Sequence, residues 1–275
     1  ARDLLKEKEF PNAVRDKKGR LMVGAAIRLN ADYLKEVKDL LIAGTNVILL
    51  DTARANSKRI QDAVKRIKEK FSAVPLVVGN IDTPEAAIML IKAGADCLKV
   101  GIGPGSACKT REATGVGIPQ ITAIMDVYEA TQGKIPICAD GGIRNPGDLA
   151  KALGAGASTI MSGSIFAGTE ETPGIIFEQD GKKFKEYRGM ASYDATMKKL
   201  ELDGEFEKEI ISVEGEKAFA KYKGPIEQII KQYLGGLASS MTYMGVDVMD
   251  KMIGKADFMY LTSAGRRENQ AHFHL

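Results

Sequence analysis

Residues 75–102 read PLVVGNIDTPEAAIMLIKAGADCLKVGI and contain the unit from which most of the chain is built. An apolar run, Pro75–Ile81, is followed by a polar loop, a helical stretch and a second apolar run, Cys97–Ile102. Continuous apolar runs of this length are typical of parallel strands covered by helices on both faces. Thr83 before Pro84 marks the helix start, because it places a capping residue ahead of proline at the first helical position. The stretch therefore predicts a strand–helix–strand unit.

The same alternation recurs on both sides of this unit. A second helix start lies at Asn145-Pro146, and Ala-Gly or Gly-Ala pairs mark several helix ends. Alternating strands and helices favour an α/β fold, either a (β/α)8 TIM-type barrel or a doubly wound parallel sheet. Six strands are visible, two short of a full barrel. The other four predicted strands are Leu21–Ile27, Asn46–Thr52, Ile135–Ile143 and Thr159–Ser164.

After Gly168 the alternation of strands and helices ends. Residues 169–224 predict a long excursion that holds a small hairpin and a mobile flap. On charge pattern alone, the Lys- and Glu-rich part from Lys198 to Lys223 favours a solvated surface segment. A predicted helix over Pro225–Leu234 and an apolar tail follow, so that residues 225–275 complete the domain.

Composition excludes several classes of protein. A net charge of +3 is too balanced for a protein that binds nucleic-acid phosphates, so no nucleic-acid partner is expected. No apolar run approaches the ~18–20 residues that span a bilayer. Three cysteines without a C-x-x-C pair exclude a disulfide framework and a zinc ribbon, and they favour a reducing, cytoplasmic setting. The two histidines, His272 and His274, lie at the extreme C-terminus, so central histidine chemistry is not expected.

The strongest candidate for chemistry is the loop after the fourth predicted strand, Gly101–Arg111 (GIGPGSACKTR). Its glycines let backbone N–H groups approach an anion, and Ser106 could donate a hydrogen bond to a phosphate. Cys108 is a candidate thiolate nucleophile, with a small buried loop residue as the alternative interpretation. Cys97 and Cys138 lie inside apolar runs and are predicted to be inert core residues.

Two further glycine-rich turns follow the fifth and sixth predicted strands, Ala139–Ile143 (ADGGI) and Ser162–Ser164 (SGS). Such loops on adjacent strands form the usual phosphate cradle of a βα barrel. Asp140 could accept hydrogen bonds from both hydroxyls of a ribose, or it could cap the next helix. Asp51, which ends the second predicted strand, has the same two interpretations.

Long motifs in this chain closely resemble those of the IMP dehydrogenase and GMP reductase family. They are GIGPGSACKTREATGVGIPQITAI, ADGGIRNPGDLAKALGAGA, GSIFAGTEETPG and KKFKEYRGMAS, within a match that runs essentially end to end. The resemblance implies a TIM-type barrel in which residues 1–168 supply strands three to eight. In the family a pair of regulatory CBS modules is inserted just before the point where this chain starts, so the first two strands have no counterpart here.

Transferred residue by residue, the family pattern implies a role for each group of candidates. Cys108 is the nucleophile that attacks C2 of the purine, and Thr110 and Glu214 occupy the two proton-handling positions. The monovalent cation, K⁺, is held by carbonyls of Gly103, Gly105 and Cys108. Residues implied to hold the nucleotide are Ser106, Gly142, Gly163, Ser164 and Tyr187 at the phosphate, Asp140 at the ribose, and Gly189 and Met190 at the base. Residues implied to face the nicotinamide side of NAD are Asp51, Asn80, Gly101 and Gly103.

The resemblance implies an NAD-dependent enzyme, a cytoplasmic homotetramer, that oxidises IMP to XMP through a Cys108 thioimidate. A GMP reductase using NADPH is the first alternative, and an inactive nucleotide-binding paralogue or incomplete fragment is the second. The dehydrogenase flap carries an Arg-Tyr pair that activates water, whereas the aligned stretch Glu201–Phe206 reads ELDGEF. Ser239–Tyr243 (SSMTY) is more similar to the reductase, but the starting segment, the flap length and the SAGRREN tail are more similar to the dehydrogenase.

Overall fold

In the computed structural model, which describes residues 11, 13–188 and 217–269, six parallel strands form one curved sheet. Their order in the sheet is their order in the chain. A doubly wound sheet would reverse its strand order at a switch point, and this sheet does not. The prediction of six strands of a TIM-type barrel is therefore confirmed. The strands are β1 (Gly24–Ile27), β2 (Val47–Asp51), β3 (Leu76–Ile81), β4 (Cys97–Val100), β5 (Ile137–Asp140) and β6 (Thr159–Met161).

Helices alternate with these strands, and the predicted capping residues begin two of them. The Thr83 hydroxyl accepts a hydrogen bond from the Ala86 amide at 3.4 Å, and the Asn145 side chain accepts one from the Asp148 amide at 3.0 Å. The first helix ends at a left-handed glycine, Gly44, as the Ala-Gly pair there predicts. The helices are α1 (Tyr33–Ala43), α2 (Lys58–Lys70), α3 (Pro84–Ala93), α4 (Thr110–Thr114), α5 (Gln120–Thr131) and α6 (Pro146–Gly154).

The core lies between the sheet and its helices. Strand residues such as Leu50, Leu76 and Leu98 are fully buried, and so are Val64 and Ile67 on α2. Burying a side chain of this size contributes about 1.5–3 kcal/mol relative to leaving it in water. Because this packing fixes the strands rigidly, the loops at their carboxyl ends are held on a stable platform.

The excursion after Gly168 contains a small antiparallel sheet of β7 (Ile176–Gln179), β8 (Lys182–Arg188) and β9 (Lys217–Lys221). The turn between β7 and β8 is the pair Asp180-Gly181, and both residues have positive φ, at 51° and 69°. Such a pair forms the type I′ turn that matches the twist of a hairpin. The Phe177 ring contacts those of Phe184 and Phe219, with centroids 5.9 and 5.0 Å apart. The predicted hairpin is present, whereas the predicted flap falls within residues 189–216, outside the described part.

The helix predicted over Pro225–Leu234 is longer in the structure, because α7 extends over Ile226–Tyr243. The Gly235-Gly236 pair does not end it. A Cβ at Gly236 would lie 2.3 Å from the Pro146 Cβ, so glycine there allows α7 to cross the start of α6 closely. A 3-10 turn (Met249–Lys251) and α8 (Ser263–Glu268) follow. In the described part of the chain, no helix has the length and apolar character needed to cross a membrane.

Candidate active site

The candidate residues of the sequence gather at the carboxyl ends of the strands. Asp51 ends β2, Asn80 lies near the end of β3, Gly101 follows β4, and Asp140 ends β5. These strands are neighbours in the sheet, so their last residues meet at one edge of it. This is the edge that carries the active site in barrel enzymes.

A lysine that the sequence did not single out joins two of the candidate carboxylates. The Nζ of Lys99 lies 2.9 Å from Asp51 Oδ1 and 2.5 Å from Asp140 Oδ2, and the lysine is only 3% exposed. Burial lowers the pKa of Lys99, but the two carboxylates outweigh it, so that the net pKa is raised and the ammonium stays charged. The alternative role of Asp51 and Asp140 as helix caps is wrong, because Ser57 caps α2 and Asn145 caps α6.

A glycine explains how Lys99 reaches across the sheet. Asp51, Gly79 and Lys99 are lateral partners on β2, β3 and β4. A Cβ on Gly79 would lie 2.5 Å from the Lys99 Cβ, so any other residue there would collide with the lysine. Lys99 therefore passes over β3 in the space that a side chain at Gly79 would occupy, and contacts Asp51 on the strand beyond.

Two amide side chains connect the end of β4, where the cysteine loop begins, to Asp140 at the end of β5. The Nδ2 of Asn80 donates to the Gly101 carbonyl at 2.6 Å and to Asp140 Oδ2 at 2.9 Å. The Nε2 of Gln120 donates to the carbonyls of Val100 at 2.9 Å and Asp140 at 3.2 Å. Within the described residues, Asn80 Oδ1 and Gln120 Oε1 are buried and accept no hydrogen bond. Because a buried acceptor without a donor is costly, these two oxygens suit a ligand that brings N–H or O–H groups.

The loop that carries Cys108 lies directly against the turn that follows β5. A Cβ at Gly141 would lie 3.1 Å from the Gly105 nitrogen and 3.1 Å from the Pro104 Cγ. At the base of the loop, a Cβ at Gly101 would lie 2.2 Å from the Asp140 carbonyl oxygen, and the φ of Gly101 is +146°. Glycine at both positions permits the approach that brings the cysteine loop beside Asp140.

Cys108 is exposed, so the alternative of a small buried loop residue is wrong. Its Sγ lies 3.2 Å from the Thr110 hydroxyl oxygen. The guanidinium of Arg111 holds this loop by donating to the Ile102 carbonyl at 3.0 Å and to the Ile118 carbonyl. An exposed thiol with a hydroxyl partner is able to attack a bound ligand, which a core thiol is not.

The other two cysteines differ from Cys108 in burial. Cys138 is buried and Cys97 is partly buried. Burial raises the pKa of the Cys97 thiol to about 12, and it also raises the pKa of Cys138. Both therefore remain thiols at neutral pH, in agreement with their prediction as inert residues.

The candidate phosphate turn follows β6. A Cβ at Gly163 would lie 3.0 Å from the Tyr187 hydroxyl oxygen, so Tyr187 of β8 lies beside this turn. The Nζ of Lys223 donates to the carbonyls of Ser164 at 2.9 Å and Ile165 at 3.1 Å. The small antiparallel sheet thus provides one side of the candidate phosphate site.

The remaining candidates are two residues that the structure describes and three that it does not. Ser106 is exposed in the cysteine loop, and Gly142 lies beside Pro104, where an added Cβ would be 3.4 Å from the proline Cβ. Gly189, Met190 and Glu214 lie outside the described residues.

Sequence reasoning missed four residues that organise the site: Lys99, Arg111 as a loop anchor, Gln120 and Lys223. Lys99 carried a signal, since it is the one charged residue in the apolar run CLKVGI.

Among the described residues, no three His, Cys, Asp or Glu side chains come together as a metal site. The cation implied by the resemblance would instead use backbone carbonyls of Gly103, Gly105 and Cys108. Carbonyl oxygens are the donors that alkali cations accept in proteins. The Gly105 carbonyl already accepts the Cys108 amide at 3.1 Å, so one of its two lone pairs stays available.

Comparisons with known proteins identify the family to which this chain is related. The family model described as "IMP dehydrogenase / GMP reductase domain" matches residues 1–272. An inosine-5′-monophosphate dehydrogenase from Aquifex aeolicus is 45% identical over 98% of this chain and 56% of its own length. One from Borreliella burgdorferi is 42% identical over 97% of this chain and 67% of its own length.

A solved structure matches the whole chain. It is a GMP reductase from Trypanosoma brucei in complex with guanosine 5′-monophosphate, with a TM-score of 0.92 and 38% identity. The match covers 100% of this chain and 57% of that protein, so the chain spans little more than half the length of most relatives cited here. On sequence and fold together, the chain belongs to the IMP dehydrogenase / GMP reductase family.

Proposed function

We propose that this protein oxidises IMP to XMP with NAD as the hydride acceptor. The observation that carries the proposal is the exposed Cys108 in a glycine-rich loop, other residues of which pack against the end of β5 and the turn that follows it. A nucleophile, a carboxylate and glycine-rich turns at the same edge of the sheet suit a nucleoside monophosphate. Its base would meet the nucleophile, its ribose the carboxylate and its phosphate the turns. The family relationship supports the same substrate class.

The substrate is proposed to lie across the carboxyl edge of the sheet. Asp140 would accept the ribose hydroxyls, and its contacts with Lys99 and Asn80 hold this carboxylate in place. Gly189 and Met190 would contact the base. The phosphate would be held by Ser106, Gly142, Gly163, Ser164 and Tyr187.

The residues on the other side of the cluster fit the nicotinamide end of NAD. Asp51, Asn80, Gly101 and Gly103 would face it, and the buried acceptor Asn80 Oδ1 suits the N–H donors of a carboxamide or a base. When bound, NAD supplies a hydride acceptor. A K⁺ ion is proposed at the Gly103, Gly105 and Cys108 carbonyls, where it would fix the cysteine loop.

The covalent chemistry is proposed to take place at Cys108. Its thiol would lose a proton, its sulfur would form a bond to C2 of the hypoxanthine, and the C2 hydrogen would leave as hydride to the acceptor that bound NAD supplies. Water then adds to C2 of the resulting thioimidate, the C2–S bond breaks, and XMP and the free thiol are released. Thr110, whose hydroxyl lies 3.2 Å from the sulfur, would carry protons together with Glu214.

The absence of the Arg-Tyr pair from the flap sequence has a kinetic consequence. General-base assistance is typically worth about 10²–10⁴-fold in rate, so hydrolysis without the usual base should be slow. We expect a burst of NADH followed by slow XMP release, which stopped-flow absorbance and XMP quantification would resolve. Glu214→Gln should slow the second phase and leave the burst nearly intact.

The deciding experiment compares IMP plus NAD with GMP plus NADPH, using the wild type, Cys108→Ser and Cys138→Ser. Cys108→Ser should abolish turnover and keep nucleotide binding, whereas Cys138→Ser should act through packing. Full activity of Cys108→Ser would refute the proposal.

The likeness to a GMP reductase favours a second candidate function, the conversion of GMP to IMP with NADPH. Turnover of GMP without a burst from IMP would select it. Nucleotide binding without turnover of either would indicate an inactive paralogue or an incomplete catalytic fragment. We further propose a cytoplasmic homotetramer, which the family resemblance supports.

A further inference from the structure

Lys223 lies two residues after β9 and reaches the turn that follows β6. Its Nζ donates to two consecutive carbonyls, those of Ser164 and Ile165, at 2.9 and 3.1 Å. The backbone of Lys223 is also attached to this region, since its N–H donates to the Gly168 carbonyl at 2.9 Å. The lysine is half-buried, and burial lowers its pKa. A partly desolvated ammonium is thus fixed on the outside of the candidate phosphate turn.

The geometry of the turn gives this contact a direction. The amides of Phe166 and Ala167 donate back to the Gly163 carbonyl, at 3.2 and 2.9 Å, so the turn resembles the first turn of a helix. In a trans peptide the carbonyl and the following N–H point in opposite directions. With Lys223 on the Ser164 carbonyl, the Ile165 N–H therefore points away from the lysine. A cation on a carbonyl also polarises the peptide group and strengthens its N–H as a donor.

We propose that Lys223 is a positioning residue for the nucleotide phosphate. Its ammonium group holds the Ser164 and Ile165 carbonyls, which fixes the turn so that the Ile165 N–H meets the phosphate, and its charge favours an anion there. This inference rests on the proposed function, which places the phosphate at Gly163 and Ser164.

A second lysine of the same small sheet provides a natural comparison. Lys185 is 3% exposed, and its Nζ donates to the carbonyls of Thr169, Glu170 and Thr172 at 3.0, 3.0 and 2.7 Å. Like Lys223, Lys185 places its ammonium group on backbone carbonyls. The carbonyls that Lys185 contacts, however, come after the phosphate turn in the chain. Lys185 should therefore stabilise the fold without affecting recognition of the phosphate.

The test compares binding of IMP with binding of inosine, which lacks the phosphate, by titration calorimetry on the full chain. Lys223→Met should raise the Kd for IMP about tenfold, equivalent to ~1.4 kcal/mol, and change the Kd for inosine less than about twofold. Lys223→Arg should restore most of the affinity, and Lys223→Gln, a neutral donor, should be intermediate. Lys185→Met should lower the Tm and keep the IMP-to-inosine ratio. Lys183→Met removes an exposed lysine from the same strand as Lys185, and it should change neither the Tm nor the ratio of the two Kd values.

The outcomes separate the inference from the function on which it rests. If Lys223→Met raises the Kd for IMP and the Kd for inosine by the same factor, or changes neither Kd, the positioning role is overturned while the phosphate site stands. If the wild type binds IMP no more tightly than inosine, the proposed phosphate site itself fails, and the inference with it. Should Lys223→Met fail to fold, the ratio measured for Lys223→Gln decides the matter by the same criterion.

Discussion

Replacing Lys99 with methionine tests the ion-pair cluster at the centre of the site. Methionine is similar in length and fits a buried position, so the change removes the charge and little packing. It leaves Asp51 and Asp140 facing each other without the ammonium that lies 2.9 and 2.5 Å from their oxygens. We expect Lys99→Met to lower the free energy of unfolding and to weaken nucleotide binding at the ribose.

The size of the effect follows from the burial of the three groups. Breaking a fully buried ion pair costs about 3–5 kcal/mol, whereas an exposed pair is worth about 0–1 kcal/mol. Lys99 is 3% exposed, and the side chains of Asp140 and Asp51 are 24% and 39% exposed. The Lys99–Asp140 pair is therefore close to the buried limit, and the Lys99–Asp51 pair is heavily screened. We expect a loss of about 2–4 kcal/mol, or a Tm lower by roughly 5–15 °C in a chain of this size.

The assay is urea unfolding of four proteins: the wild type, Lys99→Met, Asp140→Asn and the double variant. Because the two groups interact, the double variant should lose less than the sum of the single losses. Lys134→Met, which removes an exposed lysine before β5, is the control and should change the unfolding free energy by less than about 0.5 kcal/mol. Additive losses, or a loss in Lys99→Met no larger than in the control, would refute the electrostatic argument.

Three further predictions concern the cysteines, the loop base and the assembly. Iodoacetamide at pH 8 should label Cys108 first, because it is exposed, while burial and the raised pKa values keep Cys97 and Cys138 as thiols at that pH. Equal labelling of the three cysteines in peptide mass spectrometry would contradict this. Gly101→Ala should cost about 2 kcal/mol or more in unfolding free energy, because its Cβ would lie 2.2 Å from the Asp140 carbonyl oxygen; an unchanged Tm would contradict this. Light scattering at micromolar concentration should give a tetrameric mass, and a monomeric mass would remove the proposed assembly.

The fold was predictable because its signals are local. Each of the six apolar runs became a strand, and Thr83 and Asn145 became caps as their proximity to proline predicts. The ends of β4, β5 and β6 were predicted two to three residues too late, since the last residues of those runs leave the sheet to form the loops of the site, whereas β1 and β3 end where predicted. The length of α7 was not predictable, because it depends on Gly236 meeting Pro146, a contact between distant parts of the chain.

The position of the candidate site could be predicted from the sequence, but the ion pairs and hydrogen bonds between its residues could not. Parallel strands bring their carboxyl ends together whatever the loops contain, so the location of Cys108 and Asp140 followed from topology alone. The choice between capping and binding for Asp51 and Asp140 needed the structure. The structure shows Ser57 and Asn145 as the caps, and it shows both carboxylates paired with Lys99, from which they are 48 and 41 residues away in sequence.

The two lysines that sequence reasoning missed, Lys99 and Lys223, each place a positive charge beside a different part of the proposed site. Lys99 pairs with Asp140 and holds the proposed ribose carboxylate in place, while Lys223 holds the carbonyls of the proposed phosphate turn, where its charge would favour an anion. In the proposed site neither lysine needs to touch the nucleotide. Lys99 acts through the Asp140 carboxylate, and Lys223 acts through a peptide group whose N–H, opposite the carbonyl that it holds, faces the phosphate. Motif comparison identifies the groups that meet a ligand, since their spacing in sequence is fixed by the loop. The charges that prepare those groups come from other strands, so in this barrel they become visible only once the chain has folded.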